Sequence, residues 1–126
     1  MRTYGFRGLF VAMAFGLAAA PLAAQTQSTT NASAAREARA ADQALNAQFR
    51  AANARLSPAS RLLLRNAQRN WIAFRDAQCT FETSGVQGGS AHTVIQARCL
   101  KELSQQRTRQ LERITACEEG DLACPH

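Results

Sequence analysis

Cys79 closes one long helical pattern and Cys99 lies just inside the next, with a glycine-bearing stretch between them. A chain so arranged folds back on itself, because a disulfide between the two sulfurs would pin two antiparallel helices beside their connecting loop. The segment before Cys79, Gln68-Arg69-Asn70-Trp71-Ile72-Ala73-Phe74-Arg75-Asp76-Ala77-Gln78, holds the sole Trp of the chain. Trp71 and Phe74, at i and i+3, share a helix face and are the expected structural core of the hairpin.

The reading of the cysteines depends on compartment. Arg2 and Arg7 precede an apolar run from Leu9 to Ala20, then Pro21-Leu22-Ala23-Ala24, and polarity begins at Gln25. This is the layout of a secretory signal peptide, residues 1–24, with cleavage near Ala24. The run is shorter than the roughly 20 apolar residues of a spanning helix, so no membrane span is expected. Residue 25 is Gln rather than Cys, which gives no support to a lipid anchor. The expected location is periplasmic or secreted, where thiols oxidise.

Cys79, Cys99, Cys117 and Cys124 then read as disulfide partners, and four cysteines allow three connectivities. Cys79–Cys99 and Cys117–Cys124 are favoured, the second pair enclosing a short segment turned at Gly120. The spacings are not those of a zinc site, and no cofactor or metal is expected.

Residues 25–32 are Gln, Thr, Ser, Asn and Ala, and are expected to form a disordered lead-in to a helical domain over residues 33–126. A first helix should begin near Ser33, with Leu45, Phe49, Ala52 and Leu56 on one face, while Ala34 to Ala41 offers only alanine for packing. Ser57-Pro58 is a cap followed by the preferred first helical residue. The second helix should run to about Glu82, with a stripe of Leu63, Leu64, Ala67, Trp71, Phe74, Ala77 and Phe81. Thr83 to His92 forms the loop, Ser90 or Thr93 can cap a third helix, and Val94, Ile95, Leu100, Leu103, Leu111 and Ile114 carry it to about Ala116. The fold class is therefore all-α, a small antiparallel three-helix bundle or hairpin stapled by disulfides.

Without Arg2 and Arg7, 13 basic residues face 9 acidic ones, so the formal charge falls from +6 to +4. That excess is mild and spread along the helices, and no nucleic-acid partner is expected. The chemistry for catalysis is thin. His92 stands in the loop without an evident nucleophile or acid beside it, and no catalytic residue is assigned. Gly88, Gly89 and Ser90 precede the third helix and are candidate binding residues together with His92. Arg75 and Asp76 complete the candidate set; being adjacent, they should point apart, Asp76 toward Arg107 and Arg75 toward Glu102.

The pattern Leu64-x-x-x-Gln68-Arg69-x-Trp71-x-x-Phe74-Arg75-Asp76-x-x-Cys79, then Gly88-Gly89-Ser90, then Cys99-Leu100-x-x-Leu103 and Arg107-x-x-x-Leu111, resembles the LprI-type lysozyme-inhibitor domain. Upstream, Asp42-x-x-Leu45-Asn46-x-x-Phe49 fits as well, so the resemblance spans roughly Asp42 to Ile114. Phe49 and Phe74 stand where the family often has Tyr, Ser104 where Thr is frequent, and a cysteine pair found nearer the N-terminus of some members is absent. The resemblance implies an exported helical domain and, as in its named member, inhibition of lysozyme. The expected role is a binding protein, not an enzyme, whose partner is lysozyme or another cell-wall hydrolase and which inhibits by steric occlusion. The alternative is a non-inhibitory accessory or structural domain of the cell envelope. For inhibition, two contact regions are expected: the loop from Gly85 to His92, and the acidic segment of Glu118, Glu119 and Asp121.

Overall fold

The computed structural model describes residues 19–118 and 120–125. The basic start and most of the apolar run of the expected signal peptide lie outside them, as do Glu119 and His126. Three helices follow one another: α1 over Ala19–Ala54, α2 over Pro58–Glu82 and α3 over His92–Thr115. A short 3-10 turn over Ser84–Val86 interrupts the second connection.

The helix ends follow local chemistry. At the close of α1, Arg61 donates from Nε to the Leu56 carbonyl at 2.8 Å and from Nη2 to the Ala54 carbonyl at 3.4 Å, supplying partners where the helix has run out of amides. Ser57 caps α2 through its side chain, which accepts from the Ser60 amide at 3.3 Å, and Pro58 is the first helical residue. Thr83, almost fully buried, ends α2 with its hydroxyl donating to the Cys79 carbonyl at 2.7 Å. The expected cap of α3 is different: Ala91 holds that position, so neither Ser90 nor Thr93 supplies a side-chain cap.

The path is up, down, up, so α1 and α3 run parallel. Gln27 donates to the Ser90 carbonyl, Lys101 to Glu37, and Gln48 to Thr115, the partners advancing together along both helices. Against α3, α2 runs the other way, through Cys79–Cys99, Arg75–Ser104 and Gln68–Arg107. Both expected disulfides are formed, Cys79–Cys99 and Cys117–Cys124.

The core is divided. Below, Leu45, Ala52, Leu56, Leu64 and Leu111 pack with Phe49, Trp71 and Ile114. Above, toward the loop, Ala34, Val94 and Ala97 pack with Ala38. The alanines of α1, expected to have little to offer, bring α1 and α3 close: with no side chain beyond Cβ, the two backbones approach and bury Ala34 and Ala41.

Two expectations are corrected here. Residues 25–32 are not a disordered lead-in; they continue α1. Thr26 and Thr30 turn their hydroxyls back onto carbonyls four residues earlier, and Gln27 ties the segment to Ser90 across the bundle. The stripe of α2 is also rotated. Its inward face is Leu64, Gln68, Trp71, Arg75 and Cys79, whereas Leu63, Phe74 and Phe81 are 68%, 55% and 73% exposed. Phe74 is therefore not a core residue of the folded chain. Gln68 and Arg75 take the inward positions because they have polar partners on α3 and α1.

Candidate functional site

The expected site residues separate into two groups. Gly88, Gly89, Ser90 and His92 form the loop tip. Arg75 and Asp76 lie deep along α2 beside Ser104 of α3, which is about 18 Å from His92 at 1.5 Å per residue.

At the tip, the backbone is fixed by its own turns. Val86 donates to the Thr83 carbonyl at 3.1 Å, Gly89 to Val86 at 3.0 Å and His92 to Gly89 at 3.2 Å. Gly88 takes a φ of 79°, a left-handed conformation that favours glycine. A Cβ on Gly89 would come within 3.2 Å of the Val86 carbonyl oxygen. Cys79–Cys99 clamps the helices just behind these turns, and Gln27 of α1 donates to the Ser90 carbonyl at 3.2 Å. The tip is thus built by all three helices, with α1 as a member that the sequence pattern did not supply.

Among the described residues, charge is nearly absent from this end of the bundle. Residues 22–35 of α1 contain no Asp, Glu, Lys or Arg, and residues 80–97 contain Glu82 alone. All basic residues beyond the expected cleavage site fall between Arg36 and Arg75 or between Arg98 and Arg113. What remains at the tip are amides and hydroxyls, among them exposed Ser84, Gln87 and Ser90, with half-buried His92 at the start of α3.

The second group is a polar junction between the two apolar clusters. Arg75 donates from Nη1 to Asp42 Oδ1 at 2.7 Å and to the Ser104 hydroxyl at 3.2 Å. Its Nε and Nη2 reach Asp76 Oδ1 at 2.9 and 2.8 Å. Arg75 and Asp76 therefore do touch, contrary to expectation: the long guanidinium arm curls back along its own helix, which backbone direction alone does not forbid. Arg107 bonds Gln68 and Gln110 in place of Asp76, and Arg75 takes Asp42 in place of Glu102. Two cations lie over the Trp71 ring, the Arg75 guanidinium at 5.4 Å and that of Arg107 at 5.9 Å. Burial pulls the Arg107 pKa down from its ordinary value, although a guanidinium remains charged at neutral pH. Gln68 keeps its Nε2 without a hydrogen-bond partner while its Oε1 accepts from Arg107.

This junction has little room for a ligand. The cavity beside Asp42, Arg75 and Ser104 is about 160 Å³, and the cations there already hold acids, amides or the indole. Its chemistry is cohesion: it locks the register of three helices through directional bonds. Asp42, Gln68, Ser104 and Arg107 escaped the sequence-level site, since each alone reads as a surface residue; the signal was their spacing opposite Arg75 and Trp71.

Residues of this junction, with Leu45, Leu64, Leu111 and the Cys79–Cys99 pair, are those on which the resemblance rests. Comparison with known proteins agrees. The family model described as "Lysozyme inhibitor LprI" matches residues 18–111. An uncharacterized protein of Rhizobium meliloti (strain 1021) is 31% identical over 110 residues, covering 77% of this chain and 79% of the relative. No solved structure matches the chain. With the family match running from the start of α1 almost to the end of α3, the chain belongs to the LprI lysozyme-inhibitor family.

Proposed function

We propose that the protein is exported, loses residues 1–24, and inhibits lysozyme by seating its loop tip in the enzyme's substrate cleft. The observation that carries this reading is a tip with no Lys or Arg and a single acid, Glu82, on an otherwise basic bundle. Lysozymes of the C type are strongly basic, so a basic partner is repelled wherever cations meet. The tip is the end of this molecule where that penalty is smallest. A cleft that binds neutral amino sugars is lined to hydrogen-bond hydroxyls and amides, and Ser84, Gln87 and Ser90 present the same groups. The clamped turns reduce the entropy lost on docking. The role requires no catalysis of the protein itself: it binds and excludes substrate.

The acidic segment after α3 is the less favoured contact. It lies at the opposite end of the bundle, and Asp121 Oδ1 already accepts from the Ala123 amide at 2.9 Å.

A second reading, a non-inhibitory envelope domain, has one observation in its favour. The residues that carry the family pattern are largely spent inside the bundle, so they secure the fold rather than a contact with a target. Clearing of a cell-wall suspension by lysozyme separates the two. The oxidised protein should slow clearing at micromolar excess, and Gln87→Arg or Ser90→Arg should weaken inhibition about tenfold by returning like-charge repulsion to the tip. Unslowed clearing would remove the inhibitor reading for that lysozyme; undiminished inhibition by both variants would move the contact off the tip.

A further inference from the structure

We propose that Gln25 is a modification site: once residues 1–24 are removed, its side-chain amide closes on its own α-amine to a pyroglutamyl lactam, which keeps the loop tip free of positive charge. The inference rests on the export reading given above. Cleavage after Ala24 creates an α-amine on Gln25, a group with an ordinary pKa of roughly 8, so it is mostly protonated at neutral pH. Among the described residues, the tip otherwise carries no Lys or Arg.

Gln27 fixes where that charge would stand. Its Nε2 donates to the Ser90 carbonyl at 3.2 Å and to Asn31 Oδ1 at 2.8 Å, tying the first turn of the shortened α1 to the loop. Gln25 lies two residues before Gln27, about 3 Å further toward the helix start at 1.5 Å per residue. An ammonium there is unfavourable on two counts. It sits at the positive end of the α1 dipole, beside amides that have no helical partner. It also returns a cation to the surface that is to meet a basic lysozyme.

The residue carries the chemistry that removes it. Gln25 is exposed, and among the described residues its side-chain amide has no hydrogen bond to hold it away from the amine. The unprotonated α-nitrogen attacks the side-chain carbonyl carbon. The N–Cδ bond forms, the Cδ–Nε2 bond breaks, and Nε2 leaves as ammonia with the proton given up by the amine. Nothing is oxidised or reduced, and no other reactant is consumed. The product is a neutral lactam with one N–H donor and one carbonyl acceptor, the same kind of group as the amides already at the tip. A chain beginning at Ala24 or Thr26 could not close this ring and would keep its ammonium.

The test is the intact mass of the oxidised protein exported from the full chain and held at neutral pH. The expected species begins at residue 25 and is lighter by one ammonia. An amine-directed label should mark Lys101, the sole Lys, and leave the tryptic fragment from Gln25 to Arg36 unmarked. A chain that begins at Gln25, keeps its full mass and takes the label there overturns the proposal and leaves export standing. A chain that retains residues 1–24, or starts elsewhere, overturns the cut and the proposal together. The Gln25→Ser chain keeps its α-amine and should inhibit lysozyme about threefold less well than the cyclised protein at low salt, a gap that closes as salt rises. Equal inhibition by the two would overturn the role given to the lost charge. If neither slows lysozyme, the inhibitor reading fails while the mass still decides the ring.

Discussion

Arg75 of α2 holds Asp42 of α1 at 2.7 Å, from a side chain only 13% exposed to a carboxylate that is 48% exposed. The asymmetry sets what each partner is worth. Arg75→Ala strands the buried Ser104 hydroxyl, leaves two carboxylates without their cation and uncovers one face of Trp71; the expected loss is about 3 kcal/mol. Asp42→Ala should cost about 1 kcal/mol, because its carboxylate is half in water and Asp76 remains on the guanidinium. Urea unfolding of the two single variants and the double variant measures both, with a coupling energy near 1 kcal/mol expected.

Trp71 should be the most sensitive apolar position. It joins the lower core and carries two guanidiniums over its ring, so Trp71→Ala should destabilise by about 3 kcal/mol and Trp71→Phe by about 1–2 kcal/mol. Phe74→Ala, on the outer face, should change monomer stability by less than about 0.5 kcal/mol. Thermal unfolding at low concentration reads the contrast directly, and it distinguishes the two aromatic residues that the sequence pattern had placed on one face.

The disulfides should differ in effect. Cys79–Cys99 spans 20 positions and Cys117–Cys124 spans 7. On the chain-entropy account, Cys79→Ser with Cys99→Ser costs about 3 kcal/mol and the second pair about 2 kcal/mol. The first should also release the tip, since it is the covalent clamp of α2 to α3 directly behind the loop. Amide exchange should then accelerate from Thr83 to His92 in the first variant and stay slow there in the second.

Glu37 reports the upper contact of α1 with α3. The hydrogen bond from Lys101, at 2.9 Å, and that cation's charge hold its carboxyl below the ordinary 4.5, with smaller help from Ser33 and Arg98. A folded-state pKa lower than the unfolded one means the contribution is full above the unfolded value and fades as pH falls through the folded one. Lys101→Ala should therefore raise the Glu37 pKa toward 4.5 in a carbon-detected titration, and should flatten the acid limb of the stability curve below that pH.

Much of this fold was legible in the residues themselves. Ser57-Pro58 marks the start of α2, Glu82 its end, and the cysteine spacing anticipates both disulfides. The face of α2 was not legible from apolar spacing, for a physical reason. Two rows run along that helix, and the more apolar one, through Leu63, Phe74 and Phe81, faces out. The inward row contains Gln68 and Arg75, whose burial depends on Arg107, Asp42 and Ser104, residues remote in the sequence. The start of α1 was hidden similarly. Gln, Thr and Ser read as unstructured until Gln27 is seen reaching Ser90, a contact between residues 63 apart. At the candidate site, the glycines and Ser90 announced the loop, but the surface free of basic residues around them exists only because α1 runs parallel to α3 and its early turns lie beside the loop.

A tip seated in the lysozyme cleft must compete there with a bound saccharide. Binding of the oxidised protein to lysozyme, measured by calorimetry with and without a saturating N-acetylglucosamine oligomer in that cleft, tests it most directly. With the tip in the cleft, the sugar should suppress binding competitively, its effect overcome by more of the protein. Binding of undiminished affinity to the sugar-filled enzyme would contradict it.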